Sequence, residues 1–178
     1  MDLRDNLIKY TEYSKGDLSK KCSLEYEDID IIGVDFSKFD LNNSFFCGVN
    51  FEKCDFSNVY LSGSNFGGSS LKECILKENI NKKSTWDDMT FEKTKILSMN
   101  AFRTTFMYGR FQDSIFSQCY IEKCLLSNSE LKNVSFIECT IIDTNFAECK
   151  FDNVQFIRCK FENVKFDEDV DKHLSFID

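Results

Sequence analysis

Phenylalanine recurs every five residues near the end of this chain, at Phe146, Phe151, Phe156, Phe161 and Phe166. A smaller residue (Cys149, Val154, Cys159 or Val164) stands two places before each of the last four. A helix repeats every ~3.6 residues and a strand every ~2, so a period of five belongs to neither and marks a repeat architecture. Counting back in fives meets Phe136, Phe116, Phe111, Phe106, Phe91, Phe66, Phe56, Phe51, Phe46 and Phe36, with Leu or Ile at most steps between. The phase does not slip between Phe36 and Phe166. Asn81 is its one polar occupant and Ala101 its one small one.

The residues around each centre give the period a physical reason. The residue before it is usually polar (Asp35, Asp40, Asn50, Asp55, Asn65, Asn145), and so are the two after it. The residue two before is compact. In extended chain that residue and the centre share one side, while the polar residue between them faces out. The two outward residues that follow then turn a corner. Each pentad is one short side of a coil whose two inward side chains fill the middle.

Pentads such as Val34-Asp35-Phe36, Ser64-Asn65-Phe66 and Thr144-Asn145-Phe146 carry a closer likeness. The chain resembles the pentapeptide-repeat family, whose motif is roughly A(D/N)Lxx with Phe often replacing Leu, and the likeness covers about three quarters of the sequence. It implies an all-β fold: a right-handed quadrilateral β-helix with four pentads to a coil and about seven coils, short caps closing its ends. The expected organisation is a cap and irregular first coil over 1–30, the solenoid over 31–166, and a cap or tail over 167–178. Phe36, Phe46, Phe56, Phe66, Phe106, Phe116, Phe136, Phe146, Phe156 and Phe166 are its expected core.

Seven of the nine cysteines (Cys54, Cys74, Cys119, Cys124, Cys139, Cys149, Cys159) occupy the inward position two before a centre. There cysteine serves as a small hydrophobe, which argues for a reduced, cytoplasmic protein rather than a disulfide scaffold. With four pentads to a coil, Cys119, Cys139 and Cys159 stack in one column. Parallel side chains in a packed column do not converge on a tetrahedral metal site, so neither metal nor cofactor is expected. No apolar run is long enough to span a bilayer, and MDLRDNLIKY lacks the regions of a signal peptide.

Some segments depart from the pattern. Asp2 to Tyr10 reads as a short amphipathic helix with Leu3, Leu7 and Ile8 on one side, suited to capping the first coil. Between Leu18 and Ile31 the register is open, with Leu24 and Ile29 competing against Tyr26 and Ile31 as centres. Gly48, Gly63, Gly67 and Gly68 lie at outward corners. Over 77–89, where Asn79 and Asn81 face inward and Trp86 follows, either a coil is distorted or a loop leaves the rod. Met99 beside Ala101 reads as a volume exchange that keeps the interior filled. The tail after Phe166 leaves the pattern, and its Leu174, Phe176 and Ile177 are free to cover the last coil or join a second copy.

A catalytic reading needs convergent polar groups, which this pattern does not supply. The only histidine, His173, sits among acids in the tail, and the inward thiols are shielded. No phosphate-cradling glycine loop occurs. The expected function is therefore non-enzymatic protein binding through the exterior. The resemblance implies type II DNA topoisomerase as a candidate partner, since some family members mimic duplex DNA and protect gyrase. A net charge of −8 suits mimicry superficially. Residues 1–30 carry 8 acids and 5 bases and residues 167–178 carry 5 and 1, which leaves 17 acids against 16 bases on 31–166. Pairs such as Glu52-Lys53, Lys72-Glu73 and Glu92-Lys93 cancel along what should be one side, whereas a phosphate mimic needs rows of one sign. The competing surface is apolar: Ile75, Leu97, Ile115, Ile137 and Ile157 on one face, with Tyr60, Phe102, Tyr120 and Ile142 on the next. Aligned rows of this kind exceed what isolated exposed residues require. They fit a protein partner unrelated to DNA, such as the target of a structural or immunity-type scaffold, a second protomer in a homodimer, or the chain's own termini folded back. Direct nucleic-acid binding and membrane contact are not expected.

Overall fold

The computed structural model describes residues 2–167 and 174–178. From Glu25 onward the backbone winds as a parallel β-solenoid, each short strand pairing with the strand twenty residues on: Tyr26 with Phe46, Phe51 with Leu71, Phe116 with Phe136, Ala101 with Ile121. A register of twenty is four pentads, so the coil has four sides. They are named here for one centre each: the Phe46, Phe51, Phe56 and Leu61 faces. About seven coils at ~4.8 Å each make a rod of roughly 30–35 Å.

The core is a set of aligned columns. Nine of the ten expected core phenylalanines, Phe36 through Phe156, are at most 3% exposed. Rings stack directly across coils, with centroids 4.6 Å apart for Phe36–Phe56 and Phe136–Phe156 and 4.7 Å for Phe116–Phe136. Such offset stacks add roughly 0.5–1.5 kcal/mol per pair to the burial itself. Phe166 is only half-buried because it lies in the last full coil, although it still stacks on Phe146 at 5.1 Å.

Hydrogen bonding explains the chemistry of each pentad position. The inward Ser, Thr or Cys two before a centre donates to the carbonyl of a centre in the coil below. Ser84 Oγ reaches Leu61 O at 2.7 Å, Thr94 Oγ1 reaches Leu71 O at 2.7 Å, and the Cys119 thiol reaches Ile96 O at 3.4 Å. A buried carbonyl left alone costs about 1–3 kcal/mol, so this column needs small donors, and cysteine supplies a weak one. The Asp or Asn before a centre accepts from the N–H two residues later, as Asp35 does from Ser37 N (2.9 Å), Asp55 from Ser57 N (2.8 Å) and Asn145 from Ala147 N (2.9 Å). This clamp is an Asx turn.

The residue two after each centre turns the corner in the left-handed region. From Asp28 to Asn163 this position has positive φ in every pentad except that of Lys38. Glycine fills four of these sites (Gly33, Gly48, Gly63 and Gly68), but Lys53, Tyr108 and Arg158 adopt the same backbone at φ 54°, 59° and 49°. Each such non-glycine residue costs roughly 1–2 kcal/mol. The corner N–H offsets part of it by donating to the next coil, as Lys53 N does to Lys72 O at 2.9 Å.

Residues 77–89 form no loop: Ile80–Lys82 is a strand paired with Asn100–Phe102, and Trp86 is a 1% exposed centre between Phe66 and Phe106. The solenoid starts one pentad before Ile31, with Tyr26 and Ile31 as centres and Leu24 as an inward partner, while Ile29 is exposed. The helix α1 spans Leu3–Ser14 and buries Leu7 and Tyr10. Ile8 points outward, 42% exposed, because one residue along a helix is ~100° around it from Leu7. This helix caps the first coil. Thr11 Oγ1 accepts from Asp40 N at 3.0 Å, Tyr10 donates to Asn42 O, and Asn6 donates to the Tyr26 hydroxyl. At the other end Leu174–Ile177 pairs with Val154–Ile157, so the tail returns to phase with Phe176 over Phe156.

Several buried polar atoms in the described residues lack a hydrogen-bond partner, Asn79 Oδ1 and Thr105 Oγ1 among them. Asn81 is fully buried between Leu61 and Ala101 with neither amide atom hydrogen-bonded, and Trp86 Nε1 is likewise unpaired. Asn81→Leu would restore the apolar column between Leu61 and Ala101. It should raise the urea midpoint, equivalent to a gain of about 1–3 kcal/mol. A lower midpoint would show that the amide has a partner. Phe136→Ala, within a continuous stack, should lose about 3–5 kcal/mol in the same assay.

Candidate protein-contact surface

With the interior filled, function falls to the exterior, and the four faces differ. On the Phe51 face the charges alternate from coil to coil: Glu52, Lys72 and Glu92 are neighbours in one row. Ion pairs join Lys53 to Glu52 at 3.1 Å, Lys150 to Glu130 at 2.8 Å and Lys132 to Asp152 at 3.7 Å. These pairs are exposed, so each adds little stability. Their consequence is a face without net sign.

The Phe56 and Leu61 faces carry the apolar rows. Ile75 and Ile115 are more than a third exposed, and Leu97, Ile137 and Ile157 are half-buried. Ile137, Ile157 and Ile177 occupy successive coils of one row, so the strand Leu174–Ile177 lengthens the strip at its far end. On the Leu61 face Tyr60 (54%) and Tyr120 (37%) are exposed, while Phe102 and Ile142 are half-buried. The Arg103 guanidinium lies 5.1 Å from the centre of the Phe102 ring and Lys123 Nζ 5.6 Å from it. Tyr120 donates to Glu122 at 3.2 Å.

Between these two faces the corner column is knitted together. Gln118 donates to Glu138 at 3.1 Å, and Arg158 grips Glu138 Oε1 through Nε and Nη2 at 3.1 and 2.7 Å. Arg158, followed by Gln118, holds the Glu138 carboxyl below the usual carboxylate range. The nine residues singled out in the sequence thus lie on two adjoining sides of one rod, divided by a hydrogen-bonded ridge. Other exposed apolar residues were missed: Leu125 and Tyr108 near the Phe46 face and Ile32 on the Phe51 face. Leu125 stands between Thr105 and Asn145 in its row and forms no strip.

A hollow of ≈ 380 Å³ opens between α1 and the first coil beside Leu3, Leu7, Val34 and Phe39. Another, of ≈ 460 Å³, lies on the Leu61 face between Asn43 and Lys83. Among the described residues no group of three His, Cys, Asp or Glu side chains has metal-binding geometry. No helix among them is long and apolar enough to cross a membrane. His173 lies outside the described residues.

Two family models match the chain: "Pentapeptide repeat region" over residues 84–166 and "Pentapeptide repeats (8 copies)" over residues 29–68. A search of curated proteins finds no match. Several solved structures align at low identity. The pentapeptide repeat protein Rfr23 from the cyanobacterium Cyanothece 51142 is 12% identical, covering 96% of this chain and 99% of its own, with a TM-score of 0.42. A pentapeptide repeat protein from the Arabidopsis thaliana thylakoid lumen is 17% identical, covering 71% and 68%, with a TM-score of 0.40. Full-length QnrB1, a plasmid-mediated fluoroquinolone resistance protein, is 14% identical, covering 81% and 94%, with a TM-score of 0.34.

All nine cysteines are unpaired. Burial pushes the Cys124 and Cys149 thiols up to about 11. For Cys139 the neighbouring Cys119 thiol, followed by burial, pushes it to about 12. At pH 8 a thiol with a pKa near 11 is about one part in a thousand thiolate, and the thiolate is the reactive form. By burial, aromatic-disulfide labelling of the native protein at pH 8 should reach the half-buried Cys22 and Cys47 well before the fully buried Cys54, Cys74, Cys119, Cys124 and Cys139, which should react only on unfolding. Rapid reaction of all nine would contradict a closed core.

Proposed function

The chain belongs to the pentapeptide-repeat family, and from that premise we propose that it is a non-enzymatic docking rod that binds another protein through its Phe56 and Leu61 faces. The observation that carries this reading is the clustering of apolar side chains on adjoining sides of a rigid core: Ile75 and Ile115 in one row of the Phe56 face and Leu97, Ile137 and Ile157 in its other, with Lys95 and Ser117 interleaved, beside Tyr60, Phe102, Tyr120 and Ile142 on the Leu61 face. Pre-ordered aromatic and aliphatic side chains bind with little loss of conformational entropy. Nine unpaired thiols accord with a reducing, cytoplasmic setting. Phe161, Phe176 and Ile177, exposed at the last coil, offer a second copy an end-to-end contact.

A type II DNA topoisomerase is the first partner to test, as the family resemblance implies. The compensated charges of the Phe51 face favour apolar docking over duplex mimicry, and the same observation favours a second reading in which the target is unrelated to DNA. In a gyrase supercoiling assay containing a quinolone, micromolar protein should restore supercoiling. The Ile115→Asp/Tyr120→Asp variant should need about tenfold more, the effect of losing an interface anchor. Unchanged supercoiling at micromolar protein would remove the topoisomerase. Full activity of a folded double variant would remove the strip.

A further inference from the structure

Three cations of this acidic rod fall together at one corner. Lys83 N donates to Phe102 O, Arg103 N to Glu122 O and Lys123 N to Ile142 O, at 2.9, 3.0 and 3.0 Å. These bonds stack the three cations in one column on successive coils, about 4.8 Å apart. Lys82 adjoins the column on the Leu61 face, in register with Phe102. Lys123 is paired with Glu122 at 2.8 Å and Asp143 at 3.9 Å. Among the described residues no carboxylate lies within ion-pair distance of Lys82, Lys83 or Arg103. Arg103 is held over the Phe102 ring, which fixes its guanidinium in advance of any ligand.

A hollow of ≈ 460 Å³ adjoins the lower end of this column. Along this corner Asn43, Gly63 and Lys83 occupy successive coils, and the Asn43 side chain lies against Gly63. A Cβ placed on Gly63 would come 2.4 Å from Asn43 Oδ1, and its φ of +70° is one that glycine adopts freely. Lys82 and Lys83 form one wall, Asn42 and Asn43 the other, and Tyr60 stands beside the floor at Ser62. The walls present hydrogen-bond donors and positive charge; no acid lines the hollow.

We propose that this hollow and the column above it form an anion-recognition site that takes carboxylates of an acidic peptide segment on the partner protein, one beside Lys82 and Lys83 and the next at Arg103. The site rests on the docking reading above and adds the partner's chemistry to it, for Tyr60, Phe102 and Tyr120 of the apolar row border the same cations. A nucleic-acid strand fits less well. The column is only three cations long, whereas a phosphate backbone is followed along an extended basic groove, and a net charge of −8 repels a long polyanion. A carboxylate pair needs only the local field, and arginine receives it through two parallel hydrogen bonds.

The test is an amide-shift titration of the ¹⁵N-labelled full chain with hexaglutamate at low ionic strength, beside inorganic phosphate and a ten-residue oligothymidylate. Hexaglutamate should shift the amides of Ser62, Gly63, Lys82, Lys83 and Arg103, and lose about tenfold in affinity in Lys83→Glu/Arg103→Glu, as paired charges at an interface do. Folding of that variant is favoured by precedent within the chain, since Glu73, Glu78 and Glu138 occupy the same corner position with the same positive φ. Its melting temperature serves as the control, and in a variant that does not fold the same loss is read from Lys82→Gln/Lys83→Gln. Shifts spread over the rod, or equal binding by a folded variant, would overturn the site. Phosphate matching hexaglutamate would reduce it to a simple anion site and overturn the peptide assignment, and tighter binding of the oligothymidylate would overturn it in favour of nucleic acid. Ile115→Asp should leave the hexaglutamate titration unchanged, so a failure here is separable from failure of the apolar strip.

Discussion

Each coil is held to the next by one coupled constraint: a centre side chain stacks on its counterpart twenty residues away while the backbone beneath it pairs in parallel register. Neither half works alone. Three-residue strands such as Phe45–Cys47 are too short to hold themselves together, and a column of rings gives direction only if the ladders keep every ring in line. The polar positions follow from this. Inward Ser, Thr and Cys satisfy carbonyls that the stack has cut off from water, and outward Asp and Asn clamp the turn. The corner residue accepts a left-handed backbone because the ladder continues only if the chain bends there.

The sequence therefore carried the columns clearly, because a side chain's inward or outward place is set by phase alone. What it carried poorly depends on partners a coil away. Asn81 and Trp86 looked like a break in the pattern, since one is polar and the other oversized, yet backbone pairing on both sides keeps their segment in the rod. The tail looked unpatterned for a different reason: Asp171 stands where a centre is due, although Phe176, two full periods after Phe166, keeps the phase. Tyr26 was ambiguous because Leu24 is equally apolar, and only the ladder to Phe46 tells a centre from its inward neighbour. The left-handed corners were visible where glycine or asparagine stands, and invisible where Lys53, Tyr108 or Arg158 does.

The exterior was legible as rows and illegible as a field. Counting charges showed a nearly neutral solenoid, and the ion pairs of the Phe51 face give that neutrality a location. The same counting hid the corner at Lys82, Lys83 and Arg103, whose charge is balanced only by acids elsewhere on the rod. The hollow beside it is lined from successive coils, by residues twenty apart such as Asn43, Gly63 and Lys83, a relation that no local window displays. Exposed apolar side chains and a short run of cations thus stand side by side on the rod, and among the described residues Lys82, Lys83 and Arg103 have no carboxylate within ion-pair distance.

Trp86 is the most direct probe of whether the columns run unbroken, because it is the chain's only tryptophan and sits in the segment where continuity was least evident. Its fluorescence in the native protein should be blue-shifted and nearly immune to iodide, since the indole is enclosed between Phe66 and Phe106. Emission matching free tryptophan, quenched as fully as in the unfolded chain, would place that segment in water and contradict a continuous core.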